Sequence, residues 1–182
     1  MRRVFLDVGA YDGASVRFFR DNCREADQFE IFCFEPLPLN VEKLARIPNI
    51  TIVPKAAWSS EGSRILFVGG KKEKGSTLFP DKSTGLIDVS NAQEVRTFDF
   101  AQYVQEHFEE SDELWLKLNV EGAEYEIIPH LKRHGLLSWF NRIYVMWHAY
   151  KIPSLQARHD AVVAMVPEAI CVWRKKTITP LC

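Results

Sequence analysis

The first 55 residues run strand, helix, strand, helix, strand, and that order constrains the fold more than any other feature of the chain. Residues 4–8 are a short apolar run stopped by Gly9. Residues 14–22 have helical spacing, with Val16, Phe18 and Phe19 on one side. Residues 29–34 form a second apolar, aromatic run closed by Glu35 and Pro36. Residues 39–46 read as a helix, with Pro38 or Asn40 near its start and Pro48 beyond its end, and residues 50–53 read as a third strand. Strands alternating with helices of this length imply βαβ units and a parallel sheet.

The remainder extends the pattern. Strands are predicted over residues 65–68, 114–120 and 142–147, an extended stretch over 89–98, and helices over 100–108, 123–137 and 155–165. The helix at 123–137 is expected to end at Gly135 or shortly after. Two late strands, 169–173 and 177–179, read as a terminal hairpin or edge pair. Residues 69–85 hold four glycines and a proline with no periodicity, and an irregular stretch this long inside a domain is expected to be a binding loop. No repeat, linker or boundary interrupts the 182 residues, so one domain over 1–182 is expected, standing alone or as part of a longer polypeptide.

Composition removes several function classes. Hydrophobic residues make up 47% and charged residues 26%, ordinary for a globular chain. No apolar run approaches the roughly 20 residues of a membrane span. The net charge is −1, from 23 basic and 24 acidic residues, which argues against a nucleic-acid partner held by phosphate neutralisation. The N-terminus opens on two arginines, but Asp7 follows only three apolar residues later, too soon for a signal peptide. Cys23, Cys33, Cys171 and Cys182 fit no zinc spacing and read as four free thiols in a reducing, cytoplasmic compartment.

Three sites carry chemistry. The first is Asp7-Val8-Gly9-Ala10-Tyr11-Asp12-Gly13, at the turn from the first strand into the first helix. Gly9 permits a sharp turn and close approach of a ligand, and Gly13 stands near the helix N-terminus, where amide donors favour a negative group. Asp7 adds an acceptor suited to an ammonium. The second is Glu35, 22 residues after Gly13. A carboxylate about 20 residues beyond such a turn can accept hydrogen bonds from both hydroxyls of a ribose. The third is Lys117-Leu118-Asn119-Val120-Glu121-Gly122-Ala123-Glu124. Strand periodicity sets Lys117, Asn119 and Glu121 on one side, and polar groups on a buried strand imply either a site or a mutual pairing.

In order and spacing these blocks resemble the FkbM family of S-adenosylmethionine-dependent methyltransferases. Its pattern opens D-x-G-A-x-x-G, continues with an F-E-P strand end (Phe34 to Pro36) and is most distinctive at K-x-D-x-E-G-x-E, matched by Lys117 to Glu124. Asn119 departs from it, standing where the family usually has Asp. The resemblance implies an α/β, Rossmann-like class I methyltransferase fold: a mostly parallel, doubly wound sheet of about seven strands with an antiparallel edge strand. It implies O-methylation of a sugar, glycan or other hydroxylated small molecule, with S-adenosyl-L-methionine as cofactor. Asp7, Gly9 and Gly13, with Ala10 and Tyr11 between them, would line the cofactor's amino-acid end. Glu35 would hold its ribose, and Ala56, Ala57 and Trp58 would approach its adenine. Asn119 and Glu121 would face the methyl group and the acceptor. Lys117, Ser76, Thr77 and His148 are the further candidates for holding acceptor.

His148 follows the strand at 142–147 and can take the proton a hydroxyl must lose. Glu121 is the competing base. His130 and His134, four apart, read as surface histidines rather than a metal pair. No metal is expected, although a divalent ion on Glu121, His148 and a carboxylate such as Asp99 is the alternative. Two other functions remain in competition: a methyltransferase-like binding module that has lost catalysis, signalled by Asn119, and a nicotinamide-dependent oxidoreductase, opposed by tyrosine rather than glycine at position 11.

Overall fold

Side chains of a buried parallel strand leave on both faces, so both faces need a helical layer. The computed structural model, which describes residues 1–70 and 73–167, has that arrangement. Five parallel strands form the main sheet in the order β3 (Thr51–Val53), β2 (Glu30–Phe34), β1 (Arg3–Val8), β7 (Glu113–Leu118), β8 (Phe140–Val145). On one face Val4, Leu6 and Val8 of β1 and Leu114, Leu116 and Leu118 of β7 share a core with two helices, α3 (Phe100–His107) and α4 (Glu124–Arg133). On the other, Phe5 and Trp115 pack with Val16 and Phe19 of α1 (Ala14–Asn22). Phe19 stacks on Phe5 at 4.4 Å and meets Trp115 edge-on at 5.9 Å. Truncating such a ring to alanine costs about 3–5 kcal/mol.

The expected strand count is not what the described residues display. After β3 the chain leaves the main sheet and builds a second one, in the order β4 (Ala56–Trp58), β6 (Ala92–Asp99), β5 (Gly62–Phe67). β4 runs parallel to β6, and β5 antiparallel to it. The strand β4 is three residues long and begins Ala-Ala, too short to show a period. The strands expected at 169–173 and 177–179 lie outside the described residues. The helix expected over 123–137 stops at Arg133, and Gly135 with φ 71° starts a separate 3-10 turn, Leu136–Trp139. That expected over 155–165 is two short helices, α5 (Pro153–Gln156) and α6 (His159–Val163); between them Arg158 is tied by its guanidinium to Glu126 and to the Tyr125 carbonyl. No described helix is long and apolar enough to cross a membrane. Cys33 is a free, buried thiol, whereas Cys23 is disulfide-bonded, so the reading of four free thiols does not hold.

Strand order reverses between β1 and β7. One crossover from β1 goes to β2 on one side, while β7 and β8 continue on the other. In open α/β sheets the carboxyl ends of two such strands part to leave a crevice for ligand.

Candidate active site

The crevice is occupied by a cavity of about 140 Å³. Val8 and Gly9 line it from the end of β1, Phe34 and Glu35 from β2, and Asn119, Val120 and Glu121 from the end of β7. Ala56, Ala57, Leu66, Leu37 and Leu78 give it an apolar wall, and residues 73–76 cover it.

Gly9 sets how closely the two strand ends approach. Its φ is 78°, and a Cβ there would stand 2.1 Å from the Asn119 carbonyl oxygen. The Asn119 amide in turn donates to the Val8 carbonyl at 3.1 Å. Three non-glycine residues in the wall also have left-handed backbone: Tyr11 (φ 51°), Glu73 (61°) and Glu121 (48°). Each costs roughly 1–2 kcal/mol, so packing around the site must hold them there.

Glu35 enters from the end of β2 and is 6% exposed. Its Oε2 accepts from the Tyr11 amide at 3.0 Å; its Oε1 accepts from the Leu37 amide at 3.1 Å and from Asn40 Nδ2 at 3.3 Å. Burial pushes its carboxyl above the usual range, against the pull of these three donors. A carboxylate has about four acceptor positions, so roughly one remains for a ligand hydroxyl rather than two.

Asp7 and Lys117 do not reach the cavity. Asp7 is wholly buried; its Oδ1 lies 2.7 Å from Lys117 Nζ, and its Oδ2 accepts from Ser15 Oγ. Lys117 also donates to the Gly9 carbonyl at 2.9 Å. The two residues expected to touch cofactor and acceptor are thus spent on each other, beneath the turn that forms the cavity floor. Ala10 packs into the α1 core. Gly13 serves close packing, since a Cβ there would meet Ile47 Cδ1 at 2.2 Å. Trp58, expected against an adenine, lies in β4 and does not line the cavity; Arg64 covers its ring at 4.2 Å.

The acidic end holds the most chemistry. The Glu121 side chain is 19% exposed, and its Oε2 lies 2.7 Å from Lys82 Nζ. Its Oε1 stands 3.5 Å from His148 Nε2, and Lys151 Nζ is 3.8 Å from Oε2. Burial alone would raise the Glu121 carboxyl; a protonated His148, with Lys82 and Lys151, outweighs it and holds the carboxyl below its ordinary range. His148 is completely buried behind Glu121 and does not line the cavity, so it is not placed to meet an acceptor directly. Its backbone amide donates to Glu124 Oε1 at 2.9 Å, and its Nδ1 lies 2.9 Å from the same oxygen. Glu124 Oε2 accepts from the Gly122 amide.

Of the irregular stretch, residues 73–85 fold onto this end. Ser76 lines the cavity, as expected of it. Thr77 does not; its hydroxyl donates to the Glu121 carbonyl at 2.6 Å and so fixes the strained turn. Lys82, with a side chain 1% exposed, bonds both Glu121 and the Gly75 carbonyl. Sequence reasoning missed Lys82, Asn40 and the role of Glu124. Asn40, 1% exposed, carried a signal in standing five residues after Glu35. A lone lysine in a glycine-rich stretch carries none.

Asp99 is far from a metal role. It caps α3 through the Gln102 amide and accepts from His130 Nε2 at 2.8 Å. His130 is therefore buried and structural rather than a surface residue. Among the described residues, no group of three or more His, Cys, Asp or Glu side chains is arranged to hold a metal ion.

Two kinds of buried atom are left over at the carboxyl ends of β7 and β8: Asn119 Oδ1 and His148 Nε2 have no hydrogen-bond partner among the described residues. Unpaired buried polar atoms are costly, and a bound ligand or a catalytic role is one way in which that cost is met. No curated protein and no solved structure matches the chain at a stringent threshold of similarity. The family model for the methyltransferase FkbM domain matches residues 7–169, which takes in every wall of the cavity, and the chain belongs to that family.

Proposed function

We propose that the protein is an S-adenosylmethionine-dependent O-methyltransferase acting on a hydroxyl of a sugar, glycan or other small hydroxylated molecule. The observation that carries this reading is the convergence, in one cavity, of a buried carboxylate with acceptor capacity to spare, an apolar wall and a second carboxylate set in a strained turn.

The residues present fit that cofactor. Glu35 would take a ribose hydroxyl, and the apolar wall of Ala56, Ala57, Leu37, Leu66 and Leu78 suits a flat base. The close approach of Gly9 to Asn119 leaves peptide groups at the floor, and the unpaired Asn119 Oδ1 would take a donor from the amino-acid end. When bound, the cofactor supplies a methyl group on a sulfonium sulfur, which departs with the electron pair of the carbon–sulfur bond. The protein's part is then to hold an acceptor oxygen in line and keep water out. Glu121 is a cavity-lining carboxylate, at the end away from Glu35, able to receive a hydroxyl proton, and the Glu73–Ser76 segment lines that cavity with it.

Calorimetric titration with S-adenosylhomocysteine, with a nicotinamide dinucleotide in a parallel cell, tests the reading. Micromolar binding of the first alone is expected; binding of the second alone would overturn it. A second reading, a methyltransferase-like binding module that has lost catalysis and holds the cofactor weakly or not at all, is favoured by one observation: an amide at position 119 in place of the family's usual carboxylate. Screening hydroxylated acceptors with the cofactor present separates the two.

A further inference from the structure

Methyl transfer to a hydroxyl releases one proton, and that proton needs a destination. The cavity-facing carboxylate of Glu121 is a poor final one, because its ionised form is stabilised by the His148 ring once that ring carries a proton, and by Lys82 and Lys151. Behind it, away from the cavity, stands His148. Its Nε2 is completely buried, 3.5 Å from Glu121 Oε1, and makes no hydrogen bond among the described residues. Its other ring nitrogen faces a carboxylate that is itself wholly buried, that of Glu124.

The tautomer follows from those contacts. An ionised carboxylate only accepts, so Glu124 Oε1 takes Nδ1–H from the ring, as it takes the backbone N–H of the same residue. In the neutral ring the lone pair is then on Nε2, the nitrogen that looks toward Glu121. Four charged groups face this imidazole directly or through Glu121: Glu124 on α4, Glu121 in the β7–α4 turn, Lys82 in the strap of residues 73–85 and Lys151 in the turn Ala149–Lys151. The nearby Tyr125 hydroxyl is engaged with His159 and the Ala149 amide and does not compete for Nε2.

We propose that Glu121, His148 and Glu124 form a proton path leading inward from the cavity, in which Glu124 is the positioning residue that keeps the Nε2 lone pair of His148 turned to Glu121. The inference rests on the methyltransferase reading. As the acceptor oxygen gains its methyl group, its O–H bond breaks and the electron pair stays on oxygen. The proton goes to the Glu121 carboxylate and from there to His148 Nε2, leaving an imidazolium between two carboxylates. It returns through Glu121 to solvent when product leaves, and the path is reset.

The test is nuclear magnetic resonance of the full chain labelled with 15N-histidine and 13C-glutamate, alongside calorimetry with S-adenosylhomocysteine. In the wild-type protein the neutral His148 ring is expected as the Nδ1–H tautomer. The Nε2 signal and the Glu121 carboxyl carbon are expected to respond to pH at a common midpoint, the mark of two groups sharing a proton. Glu124→Gln is expected to lose the pure Nδ1–H signature while retaining S-adenosylhomocysteine binding. Glu121→Gln is expected to keep the tautomer and abolish the shared response. A wild-type ring protonated at Nε2 in its neutral form, or Glu121 and His148 responding independently, would overturn the path even if S-adenosylhomocysteine binds. A wild-type chain that shows the tautomer but binds no S-adenosylhomocysteine removes the reaction, and the methyltransferase reading fails first.

Discussion

Lys117 Nζ lies 2.7 Å from Asp7 Oδ1, both side chains nearly inaccessible to solvent, and the pair spans the two strands whose ends form the site. Lys117 also donates to the Gly9 carbonyl, so the bond that joins β1 to β7 also fixes the turn above it. Removing one partner leaves a buried charge alone. Lys117→Met is expected to destabilise the fold by about 3–5 kcal/mol, and the Asp7→Asn/Lys117→Met double variant by clearly less than the two singles added. Urea unfolding of the set of four proteins measures the coupling; additive losses would show that the pair does not act as a unit.

Glu35 combines a stability cost with a binding gain. Burial raises its carboxyl in the folded state above its unfolded value. Its contribution to stability is thus fully present below the unfolded value, near pH 4.3, and is lost as pH rises through the higher folded value. Glu35→Gln keeps the shape without the charge. The variant is expected to gain on wild type with rising pH across that window, in unfolding experiments run from pH 4 to 8. The same change weakens a charged hydrogen bond to a ribose hydroxyl. Affinity for S-adenosylhomocysteine is expected to fall by about 1.5–3 kcal/mol, roughly tenfold to 150-fold.

Lys82 fastens the strap at 73–85 to the site through Glu121 and the Gly75 carbonyl. Lys82→Met keeps the stem and removes the charge. A stability loss of up to about 3 kcal/mol is expected, since Lys151 still faces the stranded carboxylate. Hydrogen exchange should rise selectively in residues 73–85, where few other bonds hold the backbone. Unchanged exchange there would mean that the bridge of Phe67 to Thr77 and the Thr77 bond to Glu121 suffice.

Gly9→Ala places a methyl group 2.1 Å from the Asn119 carbonyl in a backbone conformation that disfavours any side chain. The strain of positive φ accounts for about 1–2 kcal/mol, and the collision adds to it. A total near 3 kcal/mol or more is expected by chemical denaturation, with cofactor affinity falling in parallel because the floor of the cavity must open.

Much of the site could be read along the chain. Glu35, Gly9, Asn119 and Glu121 were legible because each ends an apolar run, and a strand end in a parallel sheet is where ligands bind. The period-two pattern of residues 114–120 also separated Lys117 from its apolar neighbours correctly. It could not say which partner Lys117 takes, because that depends on which strand lies alongside. Trp58 was misplaced for a related reason: a three-residue strand has no measurable period, and its pairing with β6 is set 41 residues later, where Trp58 stands beside Asp99. His148 was legible as a residue of the site end of β8, but not its depth behind Glu121.

The sequence by itself determined the parallel α/β frame, the turn at Gly9, and the carboxylates at the strand ends. These follow from local periodicity and from residue types that only certain backbone positions tolerate. The tertiary structure alone decided that Asp7 neutralises Lys117, that Asn40 holds Glu35, that Lys82 closes on Glu121 and that Glu124 faces His148. Charge pairing inside a protein is settled by burial and by distances of about 3 Å between groups far apart in the chain. No periodicity in a single chain encodes such distances; they exist only once strands and helices have docked.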